Sequence, residues 1–156
     1  MELIRRNTGY GLRALLHMVA RGDDEVASAE ELADAADTTV DFMHKIMQSL
    51  RDGGIVTSKR GPGGGFRLAR EPEEIDLLEV VMAVQGPFEV NRCVMGLDVC
   101  ERAESCPLRP TWVRIQEELE EGLRGTSLAE IDGLTDCAKT ESREVPCVPN
   151  GDLSAD

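Results

Sequence analysis

The sequence predicts a mainly α-helical protein with one two-stranded β hairpin and a long C-terminal helix. Apolar residues make up 41% of the 156 residues and aromatic residues only 3%. The core must therefore be aliphatic, and such a composition favours helices. Apolar side chains recur at helical spacing along several segments. A glycine-rich turn separates two short strand-like segments at residues 55–59 and 65–68.

Apolar periodicity predicts a first helix over about residues 2–20, which ends before the polar turn at residues 21–24. The periodic side chains are Leu12, Leu15, Leu16 and Val19. Ser28 with Glu31 forms a capping box that opens a short second helix. Thr38 with Asp41 repeats this signal and opens a third helix, which runs to about Arg51 before Gly53-Gly54.

The third helix has one apolar face and one polar face. The apolar face holds Val40, Met43, Ile46, Met47 and Leu50, and the polar face holds His44, Lys45, Gln48 and Arg51. Two short helices with a tight connection, the second able to donate hydrogen bonds, are typical of a helix-turn-helix. Three such helices also occur in ordinary small bundles, but a bundle leaves the next segment unexplained.

That segment is Arg60-Gly61-Pro62-Gly63-Gly64-Gly65-Phe66, in a basic hairpin. Glycines let the backbone approach a partner closely, and beside a recognition helix the expected partner is a DNA backbone. Glycine-rich turns also cradle nucleotide phosphates, but this one lacks the Lys-Ser/Thr of a P-loop and leads into a strand. We therefore interpret the hairpin as the wing of a winged helix-turn-helix.

Beyond the wing, Asp76 with Glu79 opens a connecting helix that runs through Val84 and is capped by Gly86. After a cysteine loop, Pro107 is placed at the first position of a longer helix. This helix carries an apolar stripe on an acidic background, which predicts a dimer interface formed by Leu108, Trp112, Ile115, Leu119 and Leu123. Residues 127–134 add a last helical turn.

The expected organisation has five parts. Residues 1–70 form the winged helix-turn-helix DNA-binding domain and residues 71–87 the connecting helix. Residues 88–106 form the cysteine loop, and residues 107–134 the dimerisation helix with its terminal turn. Residues 135–156 form a disordered acidic tail.

The charge distribution is compatible with a nucleic-acid partner despite a net charge of −13. Residues 1–68 hold 9 basic against 10 acidic side chains, whereas residues 69–156 hold 8 against 20. The acidity thus belongs to the second half, away from the expected DNA contacts. Those contacts are Arg5, Thr38, Thr39, Asp41, His44, Lys45, Gln48, Arg51, Lys59, Arg60, Gly61, Gly63 and Gly64.

Three of the five cysteines, Cys93, Cys100 and Cys106, lie within one short polar loop. Their spacing matches neither a zinc ribbon nor a bacterial ferredoxin, so from the loop alone redox-active thiols and a metal site are equally supported. Cys106 lies beside a predicted helix N-terminus, where the dipole favours thiolate. Cys137 and Cys147 are interpreted as uncoordinated thiols, and His17 as a packed or surface histidine.

Three motifs together resemble the iron-sulfur cluster regulator family, also called the Rrf-two type, over about residues 1–134. They are Thr8-Gly9-Tyr10-Gly11-Leu12-Arg13-Ala14-Leu15, the glycine-rich wing, and Cys93, Cys100 and Cys106-Pro-Leu-Arg with Trp112. The resemblance implies a homodimeric winged helix-turn-helix transcription factor. It also implies an iron-sulfur cluster, [2Fe-2S] or [4Fe-4S], on Cys93, Cys100 and Cys106 with a fourth ligand that is not cysteine.

The sequence departs from the family at the fourth ligand. One branch has a histidine three residues after its last cysteine, where this chain has Arg109. The nitric-oxide-sensing branch, to which overall similarity is greater, supplies an aspartate from the first helix of the partner subunit, where this chain has Gly9. The alternatives left open are Asp98, Glu101, Glu104, Asn7, or an exogenous thiol or water.

The sequence thus predicts a dimeric regulator, expected to be a repressor, that binds a pseudo-palindromic operator in double-stranded DNA. Its cluster would sense iron supply, oxidants or nitric oxide. The alternative is a cluster-free regulator controlled by thiol oxidation or by a protein partner. No catalytic constellation is recognisable, so an enzyme is not expected. No signal peptide or membrane span is evident, and we expect the protein in the cytoplasm.

Overall fold

The computed structural model describes residues 4–22, 25–61, 63–87 and 106–135. Within these ranges the chain forms six α-helices, a short 3-10 helix at Pro72–Glu74 and one antiparallel hairpin. The helices are α1 (Arg6–Arg21), α2 (Ala29–Ala36), α3 (Val40–Asp52), α4 (Leu77–Gln85), α5 (Arg109–Arg124) and α6 (Leu128–Thr135), and the strands are β1 (Val56–Lys59) and β2 (Gly65–Leu68). The predicted mainly α fold with a two-stranded wing and a long C-terminal helix is confirmed.

The core is aliphatic, as the composition predicts, and lies where α1, α2, α3 and α4 meet. Its largest fully buried side chains are Leu15, Leu32, Met43, Met47, Leu50, Ile55, Ile75, Leu128, Val56 and Val80. Leu128 belongs to α6, which is joined to the start of α4 by two backbone hydrogen bonds. The Leu77 amide donates to the Thr126 carbonyl at 3.0 Å, and the Leu128 amide to the Ile75 carbonyl at 2.9 Å.

Two of the predicted capping residues begin their helices as expected. Ser28 Oγ accepts a hydrogen bond from the Glu31 amide at 3.2 Å at the start of α2. Asp76 Oδ1 accepts one from the Glu79 amide at 2.8 Å at the start of α4, which ends at Gln85 with Gly86 as its C-cap. Side-chain caps of this kind satisfy amides that have no partner within the helix.

The prediction that Thr38 caps α3 is wrong by one residue, because Thr39 is the cap. Thr39 Oγ1 accepts from the Phe42 amide at 3.4 Å. The Thr38 amide instead donates to the Ala33 carbonyl at 3.0 Å, closing the end of α2. This turn places Asp37 in the left-handed region, with φ 55°. Thr38 thus belongs to the connection between the two helices.

Two helix starts also differ from the prediction. The first helix begins at Arg6, with Arg5 as its cap. The long helix α5 begins at Arg109, so Pro107 is not at its first position; Leu108 is the cap and Pro110 lies in the first turn. Pro110 suits that place because an amide there has no partner within the helix. Pro107 lies in a preceding turn, in which the Arg109 amide donates to the Cys106 carbonyl at 3.2 Å.

Candidate nucleic-acid interface

Helix α3 presents a continuous polar face to solvent. Its buried side chains are Met43, Ile46, Met47 and Leu50. The residues predicted to contact bases, Asp41, His44, Lys45 and Gln48, are all exposed, as is Arg51. Arg51 Nη2 lies 3.4 Å from Asp52 Oδ1, so part of its charge is balanced by its neighbour. The face offers donors and acceptors of the kinds that read base edges in a major groove.

The two strands of the wing, β1 and β2, pair antiparallel in a register that runs from Val56 opposite Leu68 to Lys59 opposite Gly65. Lys59, Arg60 and Gly61 at its tip are exposed. Gly61 and Gly63 have φ of 99° and 70°, which favours glycine, and a Cβ at either position would meet no atom within 4 Å. The tip therefore combines basic side chains with accessible backbone, the two features a phosphate contact uses.

The other two wing glycines correct part of the sequence interpretation. A Cβ on Gly64 would collide with the carbonyl oxygen of Lys59, and one on Gly65 with that of Ala27. The close approach that these two glycines permit is thus to the protein's own backbone. A DNA contact at Gly64 stays a prediction, as do those at the other predicted positions.

The wing is fixed to the rest of the domain at Phe66. The Ala27 amide donates to the Phe66 carbonyl, and the Phe66 amide to the Ala27 carbonyl, each at 2.9 Å. The Phe66 ring also lies 6.3 Å from the His44 ring on α3, at an interplanar angle of 63°. These contacts hold the wing beside α3. Sequence reasoning missed Ala27, because an alanine in a short connection carries no signal of pairing with a distant strand.

A second anchor joins the start of α1 to the end of α4. Gln85 Oε1 accepts hydrogen bonds from the Arg5 amide at 2.9 Å and from Thr8 Oγ1 at 2.8 Å. Thr8 is only 2% exposed, whereas Arg5 is exposed. Sequence reasoning did not identify Gln85, since its partners lie 80 and 77 residues away along the chain.

His17 has a structural explanation, in agreement with the sequence interpretation. Its Nε2 lies 2.8 Å from Glu31 Oε1 and so links α1 to α2. Arg21 also binds Glu31, and its Nη2 lies 2.8 Å from Glu25 Oε2. The hydrogen bond to His17, and after it that to Arg21, lowers the pKa of the Glu31 carboxyl. These ion pairs and hydrogen bonds stabilise the packing of α2 on α1.

Helix α5 carries the predicted apolar stripe with none of its residues buried. Trp112, Ile115, Leu119 and Leu123 are half-buried and Leu108 is 45% exposed. The helix packs against α4. Its stripe is therefore partly covered within the described chain, and the dimer interface there stays a prediction.

The cysteine site lies mostly outside the described residues. Cys93 and Cys100 fall there, together with the candidate ligands Asp98, Glu101 and Glu104. Cys106 is half-buried and forms no disulfide with any described residue. Within the described ranges, no group of three or more potential ligands could hold a metal ion. The half-buried thiol of Cys106 is a donor of the type that holds an iron-sulfur cluster.

The two positions at which the sequence departs from the family lie on α1 and α5. Gly9 lies in the first half of α1, and a Cβ there would meet no atom within 4 Å. Arg109 is exposed at the first position of α5. Asn7, one of the candidate fourth ligands, accepts a hydrogen bond at its Oδ1 from the Thr8 amide at 3.1 Å.

In the part of the chain that the structure describes, no helix could span a membrane.

Comparison with known proteins gives a consistent result. The family model Rrf2, described as an iron-dependent transcriptional regulator, matches residues 4–132. A putative HTH-type transcriptional regulator, ORF2 of Azotobacter vinelandii, is 29% identical over 127 residues, which are 81% of this chain and 77% of that protein. The HTH-type transcriptional regulator IscR of Photorhabdus laumondii is 25% identical over 145 residues, 91% of this chain and 88% of that one.

A solved structure is similar as well. It is that of CymR, described as the global cysteine regulator of B. subtilis, with a TM-score of 0.71 and 26% identity. The match covers 87% of this chain and all of that one.

Proposed function

Since the chain belongs to the Rrf2 family of transcriptional regulators, and is thus a regulator and not an enzyme, we propose that it is a homodimeric, DNA-binding repressor controlled by an iron-sulfur cluster. The observation that carries the DNA-binding part is the polar face of α3 beside the wing. Phe66 fixes this arrangement through its hydrogen bonds to Ala27 and its ring contact with His44.

In this proposal the two parts of the surface have different tasks. Lys45 and Gln48 read base edges in the major groove, where Lys bonds guanine and Gln bonds adenine. Lys59 and Arg60, with the accessible backbone of Gly61 and Gly63, bind phosphates and fix the position of the protein on the duplex. A dimer that brings two such surfaces together through the stripe on α5 reads a pseudo-palindromic operator.

The sensing part rests on Cys93, Cys100 and Cys106, which would hold the cluster. It is supported by the description of the family as iron-dependent and by the half-buried thiol of Cys106, which forms no disulfide with any described residue. The cluster, when bound, supplies a group that reacts with oxidants or nitric oxide and requires iron. The protein's part is to bind operator with different affinity in its two states, which is all that such coupling requires.

The DNA-binding proposal is tested by selection of bound duplexes from a random library, followed by titration of the recovered sequence. Gln48→Ala should relax the base preference at one position of each half-site, whereas Arg60→Ala should weaken binding to every sequence alike. Glu117→Ala, on the acidic face of α5, is the control and should change neither. Recovery of no preferred sequence by the wild-type dimer would overturn the proposal.

A second candidate keeps the DNA-binding surface and omits the cluster. It is favoured by Arg109 and Gly9, which stand where the two branches of the family have their fourth ligand. The similarity to a protein described as a cysteine regulator is compatible with it. The cysteines would then act as a thiol switch, or a protein partner would control binding. Visible absorption separates the candidates, because a thiol switch is colourless.

A further inference from the structure

Among the described residues, the start of α1 has one local side-chain hydrogen bond, from the Thr8 amide to Asn7 Oδ1, but no capping box. The cap residue, Arg5, makes no side-chain capping bond, and the first turn of α1 holds no acidic residue. In a capping box, the third helical residue would reach back to the amide of the cap residue. Here the third residue is Thr8, whose hydroxyl is turned to Gln85 instead.

Gln85 supplies from α4 what a capping box supplies locally. Its Oε1 accepts from the Arg5 amide at 2.9 Å and from the Thr8 hydroxyl at 2.8 Å. Because Thr8 is 2% exposed, its hydroxyl needs a partner within the protein. One carbonyl oxygen thus holds both the residue before α1 and the first turn of that helix.

We infer that Gln85 is a positioning residue for operator binding, because it fixes the backbone from which the exposed Arg5 side chain reaches DNA. The inference rests on the proposed DNA-binding function and on the predicted Arg5 contact. Without the Gln85 oxygen, the Arg5 amide loses its hydrogen-bond acceptor and the Arg5 backbone is no longer held at one place. An Arg that must be ordered on binding contributes less affinity.

The test uses Gln85→Met, which keeps the length of the side chain and removes the acceptor, and Gln85→Glu, which keeps an acceptor oxygen. Operator affinity is measured on full-length protein at several salt concentrations. Gln85→Met should weaken binding about tenfold and reduce the slope of log affinity against log salt by about one for each phosphate that is no longer neutralised. Gln85→Glu should restore both towards wild type.

A double-mutant cycle separates positioning from a general structural role. If Gln85 acts through Arg5, Gln85→Met should cause no further loss of affinity in an Arg5→Ala background, whereas independent effects would add. Gln116→Met on α5, whose side chain binds Glu120, is the matched control and should leave the salt slope unchanged. Should Gln85→Met fold poorly, Gln85→Asn repeats the cycle with an amide one carbon shorter.

Additive losses, or an unchanged salt slope in Gln85→Met and Gln85→Asn, would overturn the inference while leaving the proposed function intact. A wild-type protein that binds no duplex would instead overturn the proposed function, and this inference with it.

Discussion

Replacement of Gly65 by alanine should release the wing from the helical domain. A Cβ at this position would collide with the Ala27 carbonyl oxygen and would lie 2.8 Å from the Ala27 carbonyl carbon and 2.9 Å from Val26 Cγ1. Real Cβ atoms essentially never approach other atoms so closely. Since two of these atoms are backbone, rotation of a side chain cannot relieve the collision, and the strand must move away.

The expected cost follows from what that movement breaks. The two hydrogen bonds between Ala27 and Phe66, each 2.9 Å long, contribute about 0.5 to 1.5 kcal/mol apiece. Gly65→Ala should therefore lower the free energy of unfolding by about 2 to 3 kcal/mol once the crowding of Val26 is included. For a chain of this size, that corresponds to a fall of roughly 5–10 °C in the Tm.

The assay is thermal unfolding followed by circular dichroism, with Gly122→Ala as the matched control. Gly122 lies within α5, and a Cβ there would meet no atom within 4 Å. Because alanine favours a helix over glycine, this second variant should gain up to about 1 kcal/mol. A Tm of Gly65→Ala equal to or above that of the wild type would refute the docking of the wing on Ala27.

Three further predictions concern the helix connection, the wing tip and the α1–α2 link. Asp37→Gly should raise the free energy of unfolding by about 0.5 to 1 kcal/mol, as measured in urea, because Asp37 has φ 55°; a decrease would argue against that conformation. Arg60→Ala should lower the slope of log affinity against log salt by about one for each phosphate that Arg60 neutralises, and an unchanged slope would remove Arg60 from the interface. The pKa of Glu31 is lowered in the folded chain by its contacts with His17 and Arg21. These contacts contribute up to about 1 kcal/mol to the free energy of unfolding, and the contribution is complete above the ordinary pKa of a glutamate. It is lost as the pH falls through the lowered value, and Glu31→Gln should show less acid sensitivity than the wild type in unfolding titrations.

The parts of the fold that sequence reasoning predicted are those specified by local chemistry. Ser28 and Asp76 cap their helices because each oxygen reaches an amide three residues ahead. The polar face of α3 follows from helical periodicity alone. Thr38 and Thr39 both resemble caps, so the local sequence does not identify which of them begins α3. Only the turn that ends α2 decides between them, by engaging the Thr38 amide.

The parts that could not be predicted depend on contacts between distant segments. Gln85 and Ala27 are unremarkable in sequence, and their roles arise only when α4 and the α1–α2 connection pack beside Arg5 and Phe66. Contacts between distant segments also determine what the wing glycines approach. Composition indicated a close backbone approach, but it could not distinguish an approach to DNA from the approach of Gly64 and Gly65 to the protein's own carbonyls.

In the proposed function, an iron-sulfur cluster on the cysteines controls DNA binding by a dimer. The most direct test of this proposal is the visible absorption spectrum of protein purified without oxygen, with iron and acid-labile sulfide counted on the same sample. We expect a coloured protein with matched iron and sulfide, whose colour is lost in Cys106→Ala and retained in Cys137→Ala. A colourless protein that cannot be reconstituted with iron and sulfide would contradict the proposal.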